Sequence, residues 1–227
     1  MNRLTFDNLG EAADLERGRW PADAPLGRHA SVTRTLPRIL ELLADTDTRA
    51  TFFVEGLNAE LYPDALREID AGGHEVAYHG WQHERWAGLD PAAERESLER
   101  GVGALDRLGL RPAGFRPPGG SITPATPALL RELGFTHVSL EAGEAEPLEG
   151  LTVTPFRWPL VDALYYVPHF ADLRERHLGT RDEEPPSRLL AQIEAAPREV
   201  LVFHPFLLDD DERFAVLRQA VAGAGGG

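Results

Sequence analysis

The chain has 227 residues, 42% of them hydrophobic and 26% charged, an ordinary balance for a folded globular protein that excludes disorder over most of its length. Its formal net charge of -14 argues against nonspecific binding to nucleic acid and against docking to an anionic membrane. Cysteine and lysine are both absent, which excludes a disulfide framework, a thiolate metal site, a cysteine nucleophile and a Schiff-base lysine. No apolar run approaches the length needed to cross a bilayer. The opening MNRLTFDN lacks the apolar stretch of a secretory leader, and with no cysteine to oxidise the expected location is the cytoplasm.

Residues 3–6 read as a strand, and 31–44 as a helix with Ser31 as N-cap and Leu36, Ile39, Leu40 and Leu43 on one face. A second strand at 50–54 (ATFFV) precedes a helix at 61–71, stopped by Gly72-Gly73. HEVAY, 74–78, is a third strand, and Asp90 caps a helix that opens on Pro91 and runs to about 108. A short strand at 114–116 is followed by a helix at 124–133, ended by Gly134, and by strands at 136–140 and 151–155. A helix at 187–195, a strand at 199–203 (EVLVF) and a closing helix at 211–221 complete the pattern. Residues 1–222 are expected to form one domain and 223–227 a flexible tail. Strand-then-helix repetition predicts a parallel sheet with helices outside it. About seven such units fit, which predicts a barrel-like domain with its chemistry on the loops that follow strand C-termini.

That rule selects the candidates. The first strand ends in Asp7-Asn8, a pair that also suits a plain turn. The third runs into His79 and His83, four apart, a spacing that lets two imidazoles grip one metal ion, zinc first and nickel or cobalt as substitutes. Arg116 lies in Phe-Arg-Pro-Pro-Gly-Gly, where neighbouring prolines can hold a guanidinium rigidly toward a carboxylate. His204, inside LVFHPF, is either a satisfied core histidine or a general acid at the barrel mouth. Trp81, Trp86, Trp158, Tyr165 and Tyr166 line a cleft or fill the core. Gly101-Val102-Gly103 lies inside a helical pattern and is set aside as a dinucleotide fingerprint.

Taken in order, Thr5-Phe6-Asp7-Asn8, His79-x-x-x-His83, Arg116-x-Pro118-x-Gly120 and Leu201-x-x-His204 resemble the polysaccharide deacetylase family, the NodB-homology or family-four carbohydrate esterases. The strand Ala50-Thr51-Phe52-Phe53-Val54 is similar to that family's second strand, and the match runs from Leu4 to about Phe206. The resemblance implies a distorted (β/α)7 TIM-like barrel that hydrolyses N-acetyl or related amides with a divalent metal. It implies Asp7 as general base, His204 as general acid, Arg116 as the arginine that orients the base, and Asn8, His79 and His83 as metal ligands. Trp81, Pro118, Trp158, Asp162 and Leu201 are the expected substrate-binding residues, Leu201 beside the acyl pocket.

Three departures stand out. Asn8 replaces the family's metal-binding aspartate, and Gly80 stands where a serine or threonine usually follows the first histidine. The segment Arg157-Trp158-Pro159-Leu160-Val161-Asp162 looks more like the branch acting on small amides and cyclic ureides, including allantoinase-like members, some of them metal-free. Asn8 leaves three outcomes open: a weak metal site through its amide, replacement by another carboxylate such as Glu11, Asp14 or Asp162, or no metal. The leading expectation is a hydrolase that N-deacetylates an amino sugar or small metabolite. A cyclic amide or ureide hydrolase and a catalytically silent, metabolite-binding barrel are the rivals. The partner expected is a small amide substrate, and the sequence does not specify an oligomeric state.

Overall fold

A computed structural model describes residues 2–224. The apolar runs become seven strands: β1 (Arg3–Asp7), β2 (Ala50–Val54), β3 (Glu75–Tyr78), β4 (Gly114–Phe115), β5 (His137–Glu141), β6 (Thr152–Phe156) and β7 (Val200–Phe203). They pair in the order β6-β5-β4-β3-β2-β1-β7, every pairing parallel. A further parallel bridge between Val161 and Val202 ties the segment after β6 to β7 and nearly closes the sheet on itself. The architecture is therefore the distorted (β/α)7 barrel expected. Its helices are α1 (Ala12–Glu16), α2 (Leu36–Asp45), α3 (Asn58–Leu61), α4 (Pro63–Ala71), α5 (Pro91–Asp106), α6 (Thr126–Glu132), α7 (Asp162–Tyr166), α8 (Ala171–Leu178), α9 (Pro186–Ala195) and α10 (Asp211–Ala224). No helix among the described residues is long and apolar enough to cross a membrane.

Strand alternation sorts the side chains into two layers. Phe6 pairs with Phe52 and with Phe203 in register, and the three rings pack outside the strands, with centroids 4.7 Å (Phe6–Phe52) and 6.3 Å (Phe6–Phe203) apart. Burying each such ring stabilises the fold by roughly 1.5–3 kcal/mol. The next residues along the strands point to the opposite face: Thr5 and Asp7 on β1, Phe53 on β2 and Ser139 on β5 surround the guanidinium of Arg116. The barrel thus has an apolar jacket and a polar axis.

Asp90 caps α5 as expected, accepting the Ala92 and Ala93 N–H groups at 2.9 Å, with Pro91 in the first turn. Gly101 in that helix serves packing: a Cβ there would meet the Tyr78 ring at 2.1 Å. Elsewhere the local readings need correction. Ser31 is not an N-cap; it opens a π-helical turn (Ser31–Thr35), and its hydroxyl accepts the Gly10 N–H at 3.0 Å, tethering the loop after β1. The helix expected over 61–71 breaks at Tyr62, because Pro63 forces the preceding residue out of helical geometry (φ -137, ψ 51). The helices α1, α7 and α8 had no counterpart in the pattern; each is short or carries charged residues on more than one face. The closing helix continues to Ala224, past the expected start of a tail at 223, and Gly225 to Gly227 lie outside the described residues.

Candidate active site

Successive strand ends deliver the site. Asp7 closes β1 and Asn8 follows it; Glu55 follows β2, His79 follows β3, Arg116 follows β4 and His204 follows β7. Asp7, Asn8, His79, His83, Arg116 and His204 all line one cleft of about 660 Å³, walled by Pro118, Phe156, Trp158, Tyr166 and Phe170. Parallel strands put every C-terminal end at the same mouth, so residues far apart in sequence meet there.

The turns that aim these side chains use unusual backbone. Asn8 (φ 59), Gly80 (φ 80) and His83 (φ 70) all occupy the left-handed region. Asparagine tolerates it at the end of β1. At Gly80 a Cβ would be strained by the positive φ and would sit 2.6 Å from the Glu84 carboxylate, which would have to shift. A β-carbon-bearing residue at φ 70, as at His83, is a local strain that surrounding packing must hold.

The base side is fully connected. Arg116, 1% exposed, donates to Asp7 Oδ1 at 2.6 Å, to Thr5 Oγ1 at 2.9 Å and to Ser139 Oγ at 2.8 Å, with its guanidinium 4.1 Å from the Phe53 ring centroid. Asp7 Oδ1 is thereby occupied, and Oδ2 lies 3.9 Å from His79 Nε2.

The acid side is a dyad. His204 Nδ1 lies 2.5 Å from Asp162 Oδ1, and the His204 backbone N–H donates to Asp162 Oδ2 at 2.8 Å. An ionised carboxylate only accepts, so Nδ1 carries a proton and Nε2 is the ring nitrogen left for the cleft. Burial disfavours the imidazolium, but the charge and hydrogen bond of Asp162, with help from Asp7, outweigh it and hold His204 above the ordinary histidine value.

Between the two sides lies a metal-ligating corner. The Arg116 carbonyl oxygen accepts from His79 Nδ1 at 2.7 Å, which leaves Nε2 bare. Burial, opposed by Asp7, pushes His79 down to about 4, so the ring is neutral at pH 7. Burial, reinforced by His79 and Arg17, holds His83 well below its ordinary value. Glu55, His79 and His83 each offer one ligand atom, all within 4.8 Å of one another. Glu55 is 0% exposed; burial pushes its carboxyl well above the usual carboxylate range. Glu55 Oε1 and Asn8 Oδ1 are both buried without a hydrogen-bond partner. A bare Glu55 oxygen beside two neutral imidazoles, with the bare Asn8 oxygen in the cleft those imidazoles line, is a donor set that suits a divalent ion, and the residues fit the metal that the family resemblance implies. At the rim, Arg17 Nη2 donates to His83 Nδ1 at 3.1 Å.

Of the expected substrate-binding residues, Pro118 and Trp158 line the cleft, and three do not. Trp81 is 4% exposed, held in the core against Arg100 and the Gly56 turn. Leu201 pairs with Leu4 on the jacket face, and its neighbour Val202 faces the cleft instead. Asp162 is 0% exposed beneath His204 and orients that ring rather than substrate. Tyr166 does line the cleft, while Trp86 and Tyr165 belong to the core. Glu55 was missed, although it directly follows a strand, the signal that selected Asn8 and His79.

Comparison with known proteins bears on the family and the fold. A family model described as polysaccharide deacetylase matches residues 4–138. Chitin deacetylase 1 of Saccharomyces cerevisiae is 34% identical over 103 residues, 45% of this chain and 34% of that protein, so the aligned part spans about a third of this curated relative. A solved structure from Mycobacterium smegmatis assigned to the polysaccharide deacetylases aligns with a TM-score of 0.83 at 30% identity, covering 99% of this chain and 83% of that one. A solved allantoinase shares the fold at a TM-score of 0.73 and 20% identity, over 99% of this chain and 84% of its own.

Proposed function

The chain belongs to the polysaccharide deacetylase family, and from that premise we propose that it is a hydrolase that removes an acyl group from the nitrogen of an amino sugar or small metabolite. His79 and His83 would hold a divalent ion, zinc first, which when bound would supply Lewis-acid polarisation of the scissile amide. Asp7 Oδ2 takes a proton from the attacking water while Arg116 fixes the carboxylate through Oδ1. The water oxygen bonds to the carbonyl carbon, the C–N bond breaks, and the His204 imidazolium gives its Nε2 proton to the departing nitrogen. Asp162 holds that ring in the required orientation. A carboxylate and an amine leave the cleft.

The observation that carries this reading is the pairing of opposite proton tasks in one cleft. Asp7 is tied to a buried guanidinium, and His204 is held protonated above its ordinary range by a buried carboxylate. A silent binding barrel has no need of either arrangement. The cleft volume suits a small molecule or a short stretch of sugar rings, and Phe156, Trp158, Tyr166 and Phe170 offer faces for ring stacking. Cytoplasmic action belongs to the same proposal, since a chain without cysteine suits a reducing compartment.

Asn8 at the family's aspartate position favours a second reading, a cyclic amide or ureide hydrolase that works without metal. A panel of N-acetyl amines, N-acetylglucosamine oligomers and cyclic ureides, assayed for released amine or carboxylate, separates the two. The deacetylase reading expects acetate release that Asp7→Asn abolishes; ring opening of a ureide by metal-stripped protein contradicts it.

A further inference from the structure

We propose that Glu55, at the end of β2, supplies the charged oxygen ligand of the metal site in place of the aspartate the family carries at position 8, with Asn8 beside it as a neutral oxygen donor; the inference rests on the metal-dependent reading above. Register places it there. Val54 pairs with Tyr78, so the residues that follow, Glu55 and His79, stand level across β2 and β3. The Gly56 N–H donates to the Gly80 carbonyl at 2.9 Å and extends that pairing past both ligands.

The Glu55 carboxylate is 0% exposed and forms no ion pair among the described residues, an expensive state for a carboxyl group unless a cation arrives. One oxygen is positioned: Asn58 Nδ2 donates to Glu55 Oε2 at 3.0 Å and to the Leu9 carbonyl at 2.9 Å, binding the loop after β2 to the loop after β1. The other oxygen, Oε1, is bare, as is the amide oxygen of Asn8, which lines the same cleft as His79 and His83. Outer hydrogen bonds that steer one ligand oxygen and leave its twin free are how metal carboxylates are held.

Three other carboxylates near the loops are committed elsewhere. Glu11 accepts from the Tyr62 hydroxyl at 2.5 Å and the Gly27 N–H at 2.6 Å. Asp14 pairs with Arg19 at 2.8 Å, and Asp162 serves His204. Charge also balances. Two neutral imidazoles and one carboxylate leave a divalent ion at a net charge of about +1, the value an aspartate at position 8 would give. Losing the acid at one strand end and gaining it at the next preserves the electrostatics of the site while moving the donor by one strand.

The test is zinc binding by metal-stripped protein, measured by competition with a chromophoric chelator, together with the visible spectrum of the cobalt-loaded form. Glu55→Gln keeps an acceptor for Asn58 and removes the charge. Zinc affinity is expected to fall at least a hundredfold and the cobalt bands to shift, with the melting temperature of the metal-free protein unchanged or raised. Asn8→Ala should cost less affinity than Glu55→Gln. If Glu55→Gln does not fold, Glu55→Asp replaces it: the shortened carboxylate weakens zinc measurably, whereas a purely structural carboxyl leaves affinity and cobalt bands alone. Wild-type zinc binding that Glu55→Gln leaves unchanged overturns the assignment and spares the metal-dependent reading. No zinc binding by wild-type protein overturns both.

Discussion

The His204–Asp162 pair and the cluster of Glu55, His79 and His83 are built on opposite principles. His204 and Asp162 complete one another: both oxygens of the carboxylate accept hydrogen bonds, one from the ring and one from the backbone. Glu55, His79 and His83, with Asn8 in the cleft the histidines line, keep two oxygens and one imidazole nitrogen without hydrogen-bond partners. A finished dyad can hold and deliver a proton without help. A set of bare donors, neutral in its imidazoles, is stabilised by a cation that binds it. The same barrel mouth therefore holds a histidine fixed by a carboxylate and a set of side chains able to ligate a cation.

The largest effects should come from the two proton-handling groups. Asp7→Asn and His204→Gln are each expected to lower kcat by roughly a hundred- to ten-thousandfold while zinc affinity changes far less in His204→Gln. Steady-state kinetics beside zinc titrations measure both. Equal loss of metal and turnover in His204→Gln would erase the division between the two halves.

The next effect is on stability, and the halves should differ in sign. His79 titrates at about 4 in the fold and near its ordinary 6.5 when unfolded. Its contribution is complete above pH 6.5 and is lost as pH falls toward 4, amounting to about 3 kcal/mol for the metal-free protein. His204 is shifted upward, so its contribution is complete below pH 6.5 and is lost as pH rises through its folded value. Urea unfolding at a series of pH values should show a shallower acid-side loss in His79→Gln. An unchanged slope would remove His79 as its source.

A smaller effect tests the dyad from behind. In Asp162→Asn burial is opposed by Asp7 alone, so the His204 proton should leave at lower pH. The alkaline limb of kcat/KM then moves to lower pH, costing roughly tenfold in rate on that limb. A limb that stays in place would mean that Asp162 only fills space.

The smallest effect concerns the rim. Arg17 only donates, so the His83 proton must sit on Nε2 while that contact lasts. A neutral ring that ligates through either nitrogen cannot keep this bond, so metal entry must release Arg17. Arg17→Ala should tighten zinc binding roughly two- to fivefold, the size expected for an exposed charge contact. Weaker binding in that variant would show the guanidinium supporting the site.

The sequence made the strands and the meeting place legible, because both follow from one-dimensional patterns: apolar runs that alternate with helices, and polar residues placed where runs end. Asp7, His79, Arg116 and His204 were accessible by that rule. What it could not reach was partnership across strands. Trp81 and Leu201 sit one step of pleat or turn away from the cleft, and only register decides that step. Asp162 looks like a lining residue until the Val161–Val202 bridge brings it beneath β7. Glu55 obeys the strand-end rule but carries no spacing signature with the histidines, since their nearness is set by β2–β3 pairing. The break at Tyr62 was legible in Pro63 alone.

The central claim, amide hydrolysis that uses a divalent ion held in this corner, is tested most directly by one measurement. Metal-stripped protein is incubated with N-acetylglucosamine oligomers and small N-acetyl amines, with and without one equivalent of zinc, and acetate is quantified by proton NMR. The account predicts acetate release that appears with zinc and is lost in both Glu55→Gln and His204→Gln. Equal acetate release from the stripped and reloaded protein, or ring opening of a cyclic ureide by the stripped protein, would contradict it.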